Sequence, residues 1–166
     1  MMDDRFLKAV NDHEFDQMAE YEEMERRAEI QMFSLVGQTS IEIERIRFEM
    51  IKIFKTVDPE EELRDLKKGT VGSVRKGLVK KLRQREIKED FKFLEVGGSL
   101  CDLIEKRNSI IHGLASVSSV SVYIQFYDKK KEEDDEQELI EQDFDKILSA
   151  CSDILNKLEK LKNKLS

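Results

Sequence analysis

Proline occurs once in these 166 residues and tryptophan not at all. A chain with so little to interrupt a helix, and with 39% of its residues charged and 39% hydrophobic, favours a helical bundle with heavily charged outer faces. Cysteine is scarce as well. Cys101 and Cys151 lie far apart, and both fall on apolar helical faces. They read as buried, reduced thiols rather than as a disulfide or a zinc site, which needs closely spaced ligand pairs. No apolar run approaches the ~20 residues that span a bilayer, and the N-terminus lacks the basic-then-apolar pattern of a secretory signal. These absences point to a soluble, cytoplasmic protein. The length suits one domain, 1–166, with its own core. The carboxylate cluster of a metal nuclease and the glycine-rich cradle of a nucleotide-binding enzyme are also missing, so no cofactor and no metal is expected.

Acidic residues outnumber basic ones, for a net charge of −7. The basic residues are nevertheless concentrated. Between Lys67 and Arg85 stand eight (Lys67, Lys68, Arg75, Lys76, Lys80, Lys81, Arg83, Arg85) and no acidic residue. An anionic ligand responds to such a local field more than to net charge, which makes Arg75, Lys76, Lys80, Lys81 and Arg83 candidate RNA-binding residues. The plainer reading is a solvated helix face that balances acidic neighbours.

Periodicity predicts the elements. Phe6, Val10, Met18, Tyr21, Met32, Phe33 and Val36 mark a long amphipathic helix over about 5–36, broken near Asn11 to His13 and ended by Gly37. A second helix is predicted over about 39–56, striped by Ile43, Ile46, Met50, Ile53 and Phe54 and stopped at Asp58-Pro59. A short helical turn over 60–68 leads to Gly69-Thr70-Val71-Gly72, and the basic helix then turns Val74, Leu78 and Leu82 inward. Gly97-Gly98 marks a break, with Ser99 as N-cap of the next helix. Val120, Val122, Ile124 and Phe126 alternate with polar residues at strand spacing, and the charged run from Asp128 to Glu138 reads as a loop or hairpin tip. A C-terminal helix over about 142–165 carries Phe144, Leu148, Cys151, Leu155, Leu158 and Leu165 as a seam, packed within the bundle or across a dimer interface. The predicted fold is therefore mainly α: a four- to five-helix bundle, with a short strand or hairpin near 117–140 before a long last helix.

The segment that carries chemistry is Arg107-Asn108-Ser109-Ile110-Ile111-His112, followed by Gly113. Leu100, Leu103 and Ile104 make the preceding stretch helical, and glycine commonly closes a helix in the left-handed conformation. A permanent cation, a neutral amide and one of the chain's two histidines thus gather at a helix end. Arginine's planar fork donates two parallel hydrogen bonds to a phosphate. Histidine can give or take a proton near neutral pH, and asparagine can orient a phosphate oxygen or fix the histidine tautomer. Five residues of helix turn Arg107 and His112 about 140° apart. They converge only where the helix ends between them, or where a second subunit supplies the partner group. The plainer reading is a capping cluster, with arginine paired to a glutamate and histidine packed on the bundle. The other histidine, His13, reads as a surface residue.

Arg107-Asn108-x-x-x-His112-Gly113, late in a bundle and followed by a long helix, resembles the HEPN family, whose signature is an arginine and a histidine separated by four to six residues with a polar residue after the arginine. The resemblance implies a HEPN-like helical bundle, a homodimer that joins two motifs in one cleft, and metal-independent endoribonuclease activity. Catalytic roles would fall to Arg107 and His112, with Asn108 in support. It also implies a toxin or antiviral defence role and an inhibitory or regulatory protein partner. The predicted strand and the acidic run after His112 depart from a minimal bundle. Because the family includes inactive scaffolds, the alternative is a non-catalytic interaction and assembly module.

Overall fold

The computed structural model describes residues 4–60, 66, 68–112, 114–118, 121–128 and 133–165, and side chains within these apart from 4–15, 111–112, 114–117, 126–128 and 133–135. The elements run α1 (Asp4–Val57), α2 (Val71–Gln84), a 3-10 turn (Lys92–Leu94), α3 (Ser99–His112), strands β1 (Leu114–Val117), β2 (Ser121–Asp128) and β3 (Glu133–Ile140), and α4 (Glu141–Leu165). The fold is mainly helical, with a small antiparallel sheet inserted before the long last helix, as the periodicity predicts.

The largest departure is α1. It is one helix of 54 residues, about 80 Å long, with helical backbone through Asn11–His13 and through Gly37, where the sequence predicts interruptions. A mid-helix glycine costs only about 1 kcal/mol relative to alanine, too little to break a helix that is packed beyond it. Thr39 and Ser40 also fold their hydroxyls back onto the carbonyls of Leu35 and Val36, at 3.0 and 3.2 Å, and stay within the helix. The helix stops at Asp58-Pro59 as predicted. Of the predicted turn over 60–68, residues 61–65 and 67 lie outside the described residues.

Met32, Ile43, Ile46, Met50, Ile53 and Phe54 of α1 form the centre of the core. α4 lies along this stretch in the same direction, since Gln31 donates to Glu141 at one end and Glu42 faces Cys151 further on. The buried line on α4 is Phe144, Ile147, Cys151, Ile154, Leu158 and Leu161. The seam is therefore rotated from the predicted one: Leu148, Leu155 and Leu165 flank it, and Lys162 does not interrupt it. Residues three and four apart share a helix face, so Ile147 and Leu148 both continue from Phe144, and contact with α1 decides which lies deeper. That contact also settles where the seam packs: within the bundle.

α2 runs beside α1 with Val74, Leu78 and Leu82 buried, as predicted, and Val71 buried with them. Gly77 lets it approach closely, since a Cβ there would stand 3.1 Å from the Phe54 ring. α3 begins at Ser99 itself and buries Leu100, Leu103 and Ile110. The sheet is a three-stranded meander, β1-β2-β3. It buries Val122, Ile124 and Leu139 and exposes Tyr123 and Gln125. The charged run is strand from Glu133 onward rather than loop, and residues 129–132 lie outside the described residues. Backbone pairing tolerates an acidic strand where one sheet face meets water, and Glu136 accepts hydrogen bonds from Gln125 (2.9 Å) and Tyr123 (3.4 Å) across the ladder. β1, beginning at Leu114, was absent from the predicted elements; four residues are too few to show a period.

Candidate functional site

α3 brings the motif to the junction of three helices. Arg107 and Asn108, one turn beyond Ile104, line a cavity of about 300 Å³ whose other walls are Ile43 and Glu44 of α1 and Thr70, Val71 and Gly72 at the start of α2. The Nη1 of Arg107 donates to the Asn108 side-chain oxygen at 3.1 Å. Its Nε is buried and has no hydrogen-bond partner among the described residues. A buried guanidinium donor left unpaired costs on the order of 1–3 kcal/mol, so it is exceptional enough to require a reason.

One further charge, Glu44, lines this cavity, and Arg47 stands beside it. Glu44 accepts from the Nε of Arg47 at 2.7 Å, and the Nη1 of Arg47 reaches the Gly69 carbonyl at 3.2 Å. Glu44 is thus paired with Arg47, and the charged residues that line the cavity itself are Glu44 and Arg107, of opposite sign. The start of α2 also borders the cavity. Thr70 caps this helix by accepting from the Ser73 amide at 3.2 Å. The amides of Val71 and Gly72 have no acceptor among the described residues and sit at the positive end of the helix dipole.

The backbone of α3 stays helical through His112. The helix therefore does not end between Arg107 and His112, and the two positions stand about 140° apart around its axis. The side chain of His112, all of Gly113 and the side chain of His13 lie outside the described residues.

The basic block is divided by its surroundings. Arg75 is buried, only 6% exposed, and donates to the Leu94 carbonyl at 2.6 Å; it ties α2 to the 3-10 turn and does not face solvent with the lysines. Lys81 pairs with Asp58, whose carboxyl is held below its usual value chiefly by that hydrogen bond. Arg83 pairs with Glu95 at 2.7 Å. Lys76 and Lys80 are exposed, with no ion-pair partner among the described residues, and stand one and two turns along α2 from Gly72.

A larger cavity of about 890 Å³ lies at the other end of α3, between residues 89–99 and the end of α4. Its charges are largely engaged within the fold: Lys164 with Glu89 at 2.6 Å, Arg83 with Glu95, and Lys157 over the Phe93 ring at 5.8 Å. Size alone favours this groove, but the orphaned donor belongs to the smaller one, and the smaller one is the better candidate.

Sequence reading missed Glu44 and the wall Thr70-Val71-Gly72. A signal was there: a threonine at N-cap position, followed by a glycine that no turn requires. Among the described residues no group of three or more His, Cys, Asp and Glu side chains is arranged to share a metal ion. No described helix is long and apolar enough to cross a membrane. The chain matches no family model, no curated protein and no solved structure.

Proposed function

We propose that the chain is a metal-independent endoribonuclease of the HEPN type, acting in a cleft completed by a second copy. The observation that carries this reading is Arg107 beside Asn108 at the wall of a small cavity where three helices meet. A phosphodiester oxygen is a charge-assisted acceptor for a guanidinium. The ribose 2′-oxygen attacks phosphorus, the P–O5′ bond breaks, and a 2′,3′-cyclic phosphate and a 5′-hydroxyl result. His112 takes the 2′-hydroxyl proton or gives one to the leaving 5′-oxygen, and Arg107 stabilises the charge that develops on the phosphoryl oxygens.

An unbroken α3 supports the dimeric form of this reading, because one chain does not turn Arg107 and His112 to the same side. A surface for a second copy adjoins the site. Ile30, Phe33, Ile41 and Phe48 follow one another at helical steps along α1 and are all exposed, with Gly37 open in their midst. Glu44 continues that spacing and also lines the Arg107 cavity. A partner docked on this stripe lies next to the motif.

The test is RNA cleavage in EDTA by the wild type, Arg107→Ala and His112→Ala, with circular dichroism as a check of folding. Cleavage that survives chelation and is lost with either substitution supports the nuclease. Intact RNA at high wild-type concentration instead favours the second reading, a non-catalytic interaction module. That reading has its own support in Met18, Tyr21 and Met24, each about 60% exposed on an acidic stretch of α1.

A further inference from the structure

α1 continues past the end of the bundle with its apolar pattern unchanged. α4 begins at Glu141, beside Gln31, so the residues of α1 before that point extend beyond it. At about 100° per residue, Met18, Tyr21 and Met24 fall on the same face of α1 as Met32, Ile43, Ile46 and Met50. From Met32 onward those residues are buried, whereas Met18, Tyr21 and Met24 are 61%, 58% and 63% exposed. Met18 and Tyr21, with Gln17 and Glu22, frame a hollow of about 420 Å³.

The rim of this face is acidic. Residues 16–31 hold six carboxylates and two arginines. By the same helical angle, Glu22, Glu25 and Glu29 border one side of the apolar face and Glu20 the other, while Arg26 and Arg27 lie toward the back. Arg27 is engaged there, with Glu23 at 2.9 Å. Charges at the edges of an apolar helical stripe select its partner. A second copy of the same face would set carboxylate against carboxylate, which counts against self-pairing. The chain's own basic helix, α2, turns Val71, Val74, Leu78 and Leu82 inward and has no large apolar residue exposed to meet the stripe.

We propose that residues 16–31 of α1 are a docking site for a basic amphipathic helix of another protein. The partner lays its apolar stripe along Met18, Tyr21 and Met24, as α4 does on the covered half of α1, and sets lysines or arginines against Glu20, Glu22, Glu25 and Glu29. The two methionines adapt to an incoming surface because their side chains are flexible and polarisable, and Tyr21 adds a rigid aromatic anchor. None of these residues lines the Arg107 cavity, so the site is the same whether or not the chain cleaves RNA. It goes beyond the interaction-module reading by naming the chemistry of what binds.

The probe is a fluorescein-labelled peptide of about 18 residues, long enough to be helical when bound, made of leucine and lysine with the leucines on one face. Two companions separate charge from shape. One carries glutamate in place of lysine; the other keeps the lysines and spreads its leucines around the helix. Anisotropy titrations at several salt concentrations compare the wild type with Met18→Gln/Tyr21→Gln/Met24→Gln, with Glu20→Gln/Glu22→Gln/Glu25→Gln/Glu29→Gln, and with Phe33→Gln/Ile41→Gln on the far side of α1. All the altered side chains are exposed, so circular dichroism is expected to show the same helix content in each. The wild type is expected to prefer the first peptide to both companions. Loss of the stripe is expected to weaken that binding about tenfold or more. Loss of the acidic rim is expected to weaken it by a similar factor and to flatten its dependence on salt. Phe33→Gln/Ile41→Gln is expected to match the wild type.

Failure of the wild type to bind the first peptide overturns the proposal. Equal binding of the peptide with scattered leucines overturns it too, by showing diffuse attraction, and so does equal binding of the glutamate peptide. Undiminished affinity in the folded stripe variant, or an equal loss in Phe33→Gln/Ile41→Gln, removes the site from this face. Sedimentation velocity without peptide tests the other occupant. If the wild type self-associates and the stripe variant does not, a second copy covers the face and the proposal falls.

Discussion

The two halves of α1 both carry apolar residues at helical spacing and have opposite surroundings. From Ile43 onward most of its apolar residues, Phe48 excepted, are buried in the bundle, with Ile43, Ile46, Met50 and Ile53 inaccessible to solvent. Before Met32 the same helical spacing continues, but Met18, Tyr21, Met24 and Ile30 are exposed. A helical apolar stripe therefore shows that a helix has a face to cover, and not that its own chain covers it. In α1 the second half supplies the core, and the large apolar residues described in the first half are exposed.

The largest test of that contrast is stability. Ile46→Ala removes a fully buried side chain and should cost about 2–5 kcal/mol, whereas Met24→Ala should stay within about 0.5 kcal/mol. Urea titrations followed by circular dichroism decide it. Comparable losses at both sites would mean that the first half is packed in solution, and by another chain.

Association is the next test, since the outward stripe has to distinguish a covered face from a free one. Phe33→Glu and Ile41→Glu alter residues that are 59% and 61% exposed, so the fold of one chain should tolerate them. If a second copy sits there, a charge placed against its apolar face should shift the mass from dimer to monomer in sedimentation velocity and reduce RNA cleavage at low protein concentration. An unchanged dimer would put the interface elsewhere and leave the stripe to a different partner.

What could be read without coordinates follows the same division. Stripes with a period located α2, α3 and α4, and the paired Asp58-Pro59 located the end of α1. The turn chemistry at Gly37 misled because a breaker acts locally, while Thr39, Ile43 and Ile46 beyond it are held by tertiary packing. The motif was legible as a cation and an amide at one helix end. Its setting was not: Glu44 and Gly72 lie 63 and 35 positions before Arg107, and only the three-helix junction joins them. The orphaned Nε and the burial of Arg75 are likewise products of packing, which no spacing rule contains.

The far end of α1 offers a smaller, pH-dependent test. Asp58 is nearly buried and takes a hydrogen bond from Lys81, which holds its pKa below the ordinary carboxylate value. A carboxyl with a depressed folded-state pKa adds stability that is present above the unfolded value and lost as pH falls through the folded one. The melting temperature should therefore fall below about pH 4, and Asp58→Asn should start lower and depend less on pH there. A wild type and variant that decline in parallel would assign the acid sensitivity to other carboxyls.

The smallest effect contrasts two thiols, one under the covered half of α1 and one away from it. Cys151 is buried beside that half, and desolvation, with Glu42 nearby, pushes its pKa up to about 11. Cys101 is half-buried, with its Sγ 3.3 Å from the Glu95 carbonyl. The thiolate is the reactive form, so at pH 8 a disulfide reagent should label Cys101 first and reach Cys151 only when the bundle opens. Ile46→Ala should speed labelling of Cys151 in proportion to the lost stability, while Met24→Ala should leave it unchanged. Fast labelling of Cys151 in the wild type would show that α4 leaves α1 far more often than a buried seam allows, and would remove the distinction between the two halves of α1.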